Sequence, residues 1–384
     1  MFLLPPTDSN KATVALNPAY SASPACRALQ GKGAEAWAVA VNNGVLELAG
    51  TDPRGLAYAL ISLSRLIGVN PWEWWADVPV QQRDSFTLSA DFISVEQPSV
   101  RWCGIFINDE DWGFMPWSSF TIEPANLGHI GPVTYAKVCE LLLRLRLNLL
   151  WPAMHECTYP FFLTAGNVQT AANYGIVLGA SHAEPMACSA AREWDIRGHG
   201  DYNFKTNREG VIRFWQERLD ELSAQQEVMY TLGMRGKHDG VMQGTTSEEE
   251  SLAILHEVLG VQRHMLQEKY GHEMPPQVFI PYKEVLTLYR KGLAVPDDVT
   301  LLWTDDNYGY MQHLPTPQER ERSGGNGLYY HASYWGRPHD YLWLGSQSPY
   351  LMACELTRAY YSGIHKVWVL NVGDIKSLEY QLCQ

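Results

Sequence analysis

Residues 277–284, QVFIPYKE, are a short apolar run that ends in a single carboxylate, Glu284. Strand-forming residues followed by Pro281 predict a buried strand that stops where the polar residues begin. Seven other apolar runs along the chain end in polar, aromatic or charged residues, and helical patterns fill nearly every interval between them. This alternation predicts an α/β fold containing a (β/α)8 TIM barrel, whose functional residues gather at the C-terminal ends of the strands.

The eight predicted barrel strands have apolar centres and polar ends. They cover residues 101–108, 147–154, 174–182, 227–236, 277–284, 299–307, 327–336 and 365–374. Four long helices are predicted between or after them, over residues 131–146, 208–225, 245–271 and 348–363. The barrel is predicted to occupy residues 96–384, with its eighth helix incomplete because only SLEYQLCQ at 377–384 follows the last strand.

Residues 1–95 are predicted to form a separate small α+β N-terminal domain. AWAVAV at 36–41 and GVLELAG at 44–50 have strand patterns, with a turn at residues 42–43. GLAYALISLSRLIG at 55–68 has helical spacing and ends in a glycine that can close the helix. Two strands and one helix are therefore expected before the barrel.

The charge of the chain argues against two classes of partner. Forty-two acidic and 29 basic residues give a formal net charge of −13. Nucleic acids and anionic membrane surfaces are bound by basic patches, so neither is expected as a partner. The 14 Trp and 20 Tyr residues provide core volume and also flat faces that suit sugar rings.

Cysteine spacing and the first residues bear on the cellular compartment. Seven cysteines lie at irregular spacings without a Cys-x-x-Cys pair, which favours reduced thiols over a disulfide framework or a zinc site. The start, MFLLPPTDSNK, lacks the basic region of a signal peptide. A cytoplasmic location is therefore favoured. No His-x-His or His-Glu-x-x-His pair is present, so no metal or other cofactor is expected.

Polar side chains follow all eight predicted strands. An Asp after a strand is commonly a turn former, and a lone His is commonly a hydrogen-bonded core residue, so each has a structural explanation when taken alone. A pocket for a polar ligand explains them together, because each unpaired buried polar group costs about 1 to 3 kcal/mol. The pooled residues are Asn108, Asp109, His182, Arg235, Asp239, Glu284, Asp305, Asp306, Asn307, His331, Tyr334 and Asn371.

The residue types in this pool suit glycoside hydrolysis. That reaction uses one protonated carboxyl group to protonate the departing oxygen and one ionised carboxylate to activate water or attack carbon. Arg235 adds a guanidinium, which forks onto a carboxylate, so a sugar acid is a better candidate substrate than a neutral sugar.

Six stretches in chain order carry a family resemblance. They are FINDEDWG at 106–113, SHAEPM at 181–186, GMRGKHDG at 233–240, LLWTDDNYGY at 301–310, YYHASYWGRPHDYLW at 329–343 and NVGDIK at 371–376. Together they resemble glycoside hydrolase family 115, whose members are xylan α-1,2-glucuronidases that release glucuronic or 4-O-methylglucuronic acid. TDPRGLAYAL at 51–60 and GVNPWEWWADVPV at 68–80 resemble the N-terminal domain of that family.

The resemblance implies roles for individual residues. Glu284 corresponds to the catalytic acid and Asp239 to the likelier base, with Asp109 as a rival for that role and a further substrate contact. The other implied sugar contacts are Asn108, His182, Arg235, Asn307, His331, Tyr334 and Asn371. The family inverts anomeric configuration, which places its two carboxyl groups about 6.5 to 9.5 Å apart.

The resemblance also implies a substrate and an assembly. The expected substrate is glucuronoxylan or acidic xylooligosaccharides. Family members continue beyond the barrel into further domains, and a homodimer is expected if that region is present. Two other functions stay open: another exo-acting barrel glycosidase, and a non-catalytic carbohydrate-binding truncated barrel.

Overall fold

A computed structural model describes residues 22–76, 78–80, 84–108, 110–126, 128–334 and 347–375. The chain separates into two compact units. The first contains the residues up to Arg101 together with residues 137–147 and 173–175, and the second contains the remainder.

The first unit contains a three-stranded antiparallel sheet in the order β2-β1-β3. Asn43 and Gly44, with φ values of 50° and 74°, form the tight turn between the first two strands. The third strand was not predicted, because its four residues are partly or fully exposed and show no buried alternation. The strands are β1 (Trp37–Asn42), β2 (Val45–Gly50) and β3 (Ile93–Glu96).

Two helices lie in the N-terminal segment of the first unit, α1 (Pro24–Ala28) and α2 (Pro53–Leu66). Helix α2 begins two residues before its predicted start, because the Asp52 side chain accepts a hydrogen bond from the Gly55 N–H at 2.9 Å and Pro53 suits the first helical position.

The second unit is an eight-stranded parallel barrel. Its sheet has the order β6-β5-β4-β11-β10-β9-β8-β7, and a parallel bridge between Leu178 and Val228 joins the two ends. All eight predicted strands are confirmed, although most are shorter than their apolar runs. They are β4 (Trp102–Phe106), β5 (Leu149–Trp151), β6 (Val177–Leu178), β7 (Tyr230–Leu232), β8 (Gln277–Phe279), β9 (Thr300–Thr304), β10 (Asn326–His331) and β11 (Ile364–Asn371).

Helices follow the strands, and the four long helices predicted from sequence are confirmed. The longest begins after Ser247, whose hydroxyl accepts from the Glu250 N–H at 3.2 Å. Residues 377–384, predicted to start an eighth barrel helix, lie outside the described residues. The helices are α3 (Phe114–Trp117), α4 (Pro132–Arg144), α5 (Asn167–Asn173), α6 (Glu193–Arg197), α7 (Arg208–Glu221), α8 (Glu248–Tyr270), α9 (Glu284–Arg290), α10 (Pro317–Arg320) and α11 (Pro349–Tyr361).

The barrel core consists of inward-facing strand residues with large side chains. Its buried members include Phe106, Leu149, Trp151, Val278 and Leu302. Tyr282 and Tyr329 belong to the same cluster and extend it toward the C-terminal ends of their strands. In this fold the ligand site lies at the C-terminal mouth, above the filled interior. Within the described ranges, no helix has the length and apolar character needed to cross a membrane.

Candidate active site

A cavity of about 540 Å³ lies at the C-terminal ends of the barrel strands and is called the central cavity below. Its wall combines aromatic rings, histidines and carboxylates, which suits a ligand with flat apolar faces and polar edges. The lining residues are Phe106, Asn108, Asp111, Met154, His155, Glu156, Cys157, Ser181, His182, Ala183, Ala191, His238, Tyr282, Tyr329, His331 and Tyr334.

Five rings from three strand ends, those of β6, β8 and β10, contact one another along this wall. The ring centroids of His182 and Tyr282 lie 4.6 Å apart, as do those of Tyr329 and His331. Tyr334 continues the series, with its ring centroid 5.2 Å from that of His331. Packed rings hold their orientation, so they present a preformed surface to a sugar.

His331 is oriented by a buried carboxylate. Its Nδ1 lies 2.6 Å from Asp305 Oδ1, and the two side chains are 3% and 0% exposed. Asp305 Oδ2 accepts the backbone N–H groups of Asn307 and Gly309 at 3.1 and 3.3 Å. Because an ionised carboxylate only accepts, Nδ1 carries the proton in this pair. The other ring nitrogen, Nε2, makes no hydrogen bond to another described residue and is available to a ligand. The sequence indicated both residues but not their pairing.

Asn307, a predicted sugar contact, joins two phenol groups instead. Its Oδ1 accepts from the Tyr282 hydroxyl at 3.1 Å, and its Nδ2 donates to the Tyr334 hydroxyl at 3.0 Å. Its backbone has a φ of 65°, a conformation that Asn tolerates better than most residues. The structure therefore places Asn307 behind the ring wall, where it aligns Tyr282 and Tyr334.

Asn371 has a similar supporting position. Its side chain is buried; Nδ2 donates to the Tyr329 hydroxyl at 3.0 Å, and Oδ1 accepts the Gly373 N–H at 3.0 Å. Its direct contact with the sugar stays a prediction; in this structure Asn371 contacts Tyr329, which lines the central cavity. The other predicted contacts, Asn108, His182, His331 and Tyr334, do line this cavity.

Arg235 forms a bidentate ion pair with Glu284 and does not point into an open part of the central cavity. Its Nε and Nη2 atoms donate to the two carboxylate oxygens of Glu284, each at 2.8 Å. The Arg235 side chain is 3% exposed and that of Glu284 is 32% exposed. The binding of a substrate carboxylate by Arg235 stays a prediction; in this structure its guanidinium is paired with Glu284.

The backbone at Lys283 directs its two neighbours to different places. Lys283 has a φ of 49°, which is strained for a side-chain-bearing residue. Tyr282 lines the central cavity, whereas Glu284 lines a second cavity of about 330 Å³. This second cavity is also lined by Met234, Val241, Met242, Thr245, Thr246, Ser247, Glu248, Ser251, Leu255, Val285, Thr287 and Leu288.

Of the two predicted base candidates, Asp239 and Asp109, the structure describes the backbone of Asp239. Asp239 is the last residue of a short turn, Lys237–Asp239, and its neighbour His238 lines the central cavity. Asp109 lies outside the described residues, between Asn108 and the segment that contains Asp111. The assignment of a base to Asp239 or Asp109 stays a prediction.

The lining residues that were not assigned from sequence include four at or near strand ends, Asp111, His155, Glu156 and Cys157. A hydrogen bond with His155 lowers the pKa of Asp111. Glu156 pairs with His238 at 2.6 Å, and both side chains are more than half exposed. Their positions could have identified them, because each of the four follows the end of a predicted strand within a few residues.

Two fully buried glutamates flank the wall. Burial raises the pKa of Glu110 to about 7 and that of Glu184 to about 8. Glu110 Oε1 accepts the His155 N–H at 2.7 Å and the Thr158 hydroxyl at 2.8 Å. Glu184 accepts the Ser181 N–H at 3.2 Å. Buried carboxyl groups of this kind couple protonation to stability.

Glu184 is expected to make the protein less stable as the pH rises from about 4.5 to about 8. Burial is the main cause of its raised pKa, and the carboxylates of Glu193 and Glu110 add to it. Between the ordinary pKa of 4.5 and the folded pKa of about 8, the native state holds a proton that the unfolded state releases. Stability is therefore highest below this window and falls across it, by at most about 1.4 kcal/mol per pH unit for one group.

Melting temperatures at pH 5 and pH 8 test this expectation. Glu184→Gln keeps the shape and the acceptor for Ser181, and should reduce the difference between the two values. Glu209→Gln, at an exposed position in the first turn of α7, is the control and should leave it unchanged. An equal pH response of the Glu184 variant and the wild type would contradict a buried, protonated Glu184.

A family model described as glycosyl hydrolase family 115 matches residues 95–383. This chain belongs to glycoside hydrolase family 115. A solved family 115 structure, a 4-O-methyl-α-glucuronidase with specificity for decorated arabinogalactans, is 55% identical to it with a TM-score of 0.89. The match covers 91% of this chain and 47% of that one, so this chain spans about half the length of its relative.

A second similarity concerns the barrel fold alone. The structure of a β-N-acetylhexosaminidase is 12% identical to this family 115 chain, with a TM-score of 0.50, and the match covers 91% of this chain and 82% of the other. No curated protein sequence matches the chain.

Proposed function

We propose that this family 115 chain releases α-linked glucuronic or 4-O-methylglucuronic acid from a decorated plant polysaccharide, with inversion of configuration. The observation that carries the proposal is the 55% identity, over 91% of the chain, to a 4-O-methyl-α-glucuronidase. The ring-lined cavity at the barrel mouth supports a sugar as the ligand. Because that relative is specific for decorated arabinogalactans, glucuronides of this class are candidates beside the expected glucuronoxylan.

Glu284 is the proposed acid and Asp239 the proposed base. An acid must touch the glycosidic oxygen, which lies between the uronic acid and the rest of the polysaccharide. The second cavity beside Glu284 carries hydroxyl groups on Thr245, Thr246, Ser247 and Ser251, which suit a sugar chain on the leaving-group side. Arg235 holds the Glu284 carboxyl group in place through its fork.

Histidine side chains are proposed to bind the substrate carboxylate. The described lining of the central cavity contains His155, His182, His238 and His331 but neither Lys nor Arg. Among them, His331 is held by Asp305 through Nδ1, which leaves Nε2 for the ligand. A charged ring donates from Nε2 to a carboxylate, whereas a neutral ring accepts there from a hydroxyl.

Turnover of defined oligosaccharides tests the function. The chain would be incubated with one glucuronidated xylooligosaccharide and one glucuronidated arabinogalactan oligosaccharide, and released uronic acid would be measured. Proton NMR during the first turnovers should show the β-anomer if an α-linkage is hydrolysed with inversion. Binding without release would identify a carbohydrate-binding barrel, and release of a neutral sugar would identify another exo-acting glycosidase; either result would contradict the proposal.

His331→Gln is expected to weaken the preference for a uronic acid over the matching neutral sugar. The amide N–H can donate to Asp305 only weakly and the side chain carries no charge, so discrimination should fall by about 1 to 3 kcal/mol. The measurement is the ratio of kcat/KM for an aryl α-glucuronide to that for the aryl α-glucoside. His238→Gln is the control, because His238 lines the same cavity at an exposed position. An unchanged ratio in the His331 variant would show that another group reads the carboxylate.

A further inference from the structure

Three potential metal ligands meet on the wall of the central cavity. Glu110 and Asp111 follow strand β4, and His155 follows the neighbouring strand β5. One ligand atom from each of the three lies within 4.8 Å of the other two. Asp111 and His155 line the cavity, whereas Glu110 is buried behind them. The sequence indicated no metal, because these residues come from two separate loops and form no short motif.

A buried carboxylate oxygen supports a ligand at this cluster. Glu110 is 0% exposed, and its Oε1 accepts hydrogen bonds from the His155 N–H and the Thr158 hydroxyl. Its Oε2 is buried and has no hydrogen-bond partner among the described residues. A buried carboxylate oxygen without a partner is strongly unfavourable, so it requires either a proton or a cation.

Asp374 adds a second buried acid beside the same cluster. It is 0% exposed; Oδ1 accepts the Phe114 N–H at 3.1 Å, while Oδ2 is buried without a hydrogen-bond partner in the described part of the chain. Its carboxyl group interacts electrostatically with both Asp111 and His155. Three carboxyl groups around one imidazole concentrate negative charge, which a divalent cation would neutralise.

The spacing of the ligand atoms fits a metal better than a strong hydrogen bond. His155 Nδ1 and Asp111 Oδ1 are 3.4 Å apart, which is long for an N–H···O bond, so the hydrogen bond between them is weak. Two ligands at bond lengths of about 2.1 Å in a tetrahedral site are separated by roughly 3.4 Å. One imidazole and two carboxylates form a mixed nitrogen and oxygen donor set, which suits transition metals better than Ca²⁺ or Mg²⁺.

We propose that Glu110, Asp111 and His155 bind one divalent transition-metal ion through a carboxylate oxygen of each acid and one imidazole nitrogen. The ion lies at the wall of the central cavity, where water completes its coordination shell. Its binding neutralises the buried Glu110 carboxylate and fixes the two loops after β4 and β5 relative to each other. This site is independent of the roles proposed for Glu284 and Asp239.

Calorimetric titration of the chelator-treated chain with Mn²⁺ tests the site, because Mn²⁺ also reports binding through its EPR signal. The wild type should bind one equivalent and melt at a higher temperature with Mn²⁺ present. Glu110→Gln, Asp111→Asn and His155→Gln should each weaken binding by at least about 100-fold, beyond the 10- to 100-fold typical of supporting residues. Glu156→Gln is the matched control, since Glu156 is an exposed acid of the same cavity outside the cluster, and should bind like the wild type.

Two results would overturn the metal site. The first is an absence of stoichiometric Mn²⁺ or Zn²⁺ binding by the wild type. The second is wild-type affinity in both Asp111→Asn and His155→Gln, which alter side chains that are 29% and 21% exposed and are expected to fold even if Glu110→Gln does not. A higher melting temperature of metal-free Glu110→Gln, together with no metal binding by the wild type, would show that a proton occupies the site instead.

Discussion

Replacing Glu284 with Gln is expected to lower the turnover of polysaccharide-derived glucuronides by at least about 100-fold. The amide preserves the shape of the side chain but has no acidic proton to give to the departing oxygen. An aryl glucuronide with a good leaving group needs less help from an acid, so its hydrolysis should retain much of the wild-type rate. Substrate binding should survive the change.

Because Glu284 also contacts Arg235, the stability of the Glu284 variant has to be measured as well as its activity. Arg235 is 3% exposed and uses two N–H groups on Glu284, so the amide leaves this buried guanidinium with a weaker partner. Removing one charge of a buried pair can cost about 3 to 5 kcal/mol, although the 32% exposure of Glu284 reduces that cost. Melting temperatures of Glu284→Gln, Arg235→Gln and the double variant separate loss of the pair from loss of the acid.

The two substrates then decide the role of Glu284. A large loss on the polysaccharide substrate with a small loss on the aryl glucuronide identifies an acid. Equal losses on both, accompanied by a drop in melting temperature like that of Arg235→Gln, would assign Glu284 to structural support. Glu156→Gln serves as the control for a general effect of removing a carboxylate near the barrel mouth.

Asp305→Ala is expected to destabilise the protein by about 3 to 5 kcal/mol. The carboxylate accepts hydrogen bonds from the His331 ring at 2.6 Å and from the His331 N–H at 3.1 Å. It also accepts the N–H groups of Asn307 and Gly309. Alanine leaves these donors in a buried place without an acceptor, and it frees the His331 ring from its fixed orientation.

Urea denaturation and steady-state kinetics check both consequences. The free energy of unfolding should fall, and kcat/KM should fall by at least about 10-fold because His331 loses its positioning carboxylate. Asp305→Asn retains one acceptor oxygen and should recover part of the stability. Asp306→Ala is the matched control, since the neighbouring carboxylate accepts from the exposed backbone of Tyr308 and Tyr310. If Asp305→Ala proves as stable and active as Asp306→Ala, the buried pair has no supporting role.

The barrel could be predicted because its signals are local. Each strand is an apolar run of high strand propensity, and each long helix has its own spacing and caps. Ser247 before α8 and Pro132 at the start of α4 mark their helices within a few residues. Strand β3 was missed because its short, exposed sequence carries no such signal, and only its pairing with β1 makes it a strand.

The central cavity could be predicted only in part. The positions of His182, His331 and Tyr334 followed from the rule that strand ends meet at the barrel mouth, and all three line the cavity. The same rule applied to Asn307 and Asn371, which nevertheless lie behind the tyrosines. A strand end specifies the region of a side chain, but its hydrogen-bond partner depends on residues from other strands.

By itself, the sequence determined the family, the barrel and the pool of polar residues at its mouth, because periodicity, turn chemistry and motifs are properties of neighbouring residues. Only the tertiary structure decided which of these polar side chains pair with one another. It pairs Arg235 with Glu284, pairs Asp305 with His331, and brings Glu110 and Asp111 to His155. These pairings depend on long-range strand register and on single backbone conformations such as the positive φ of Lys283, which sends Glu284 away from Tyr282. Local propensities carry no information about either.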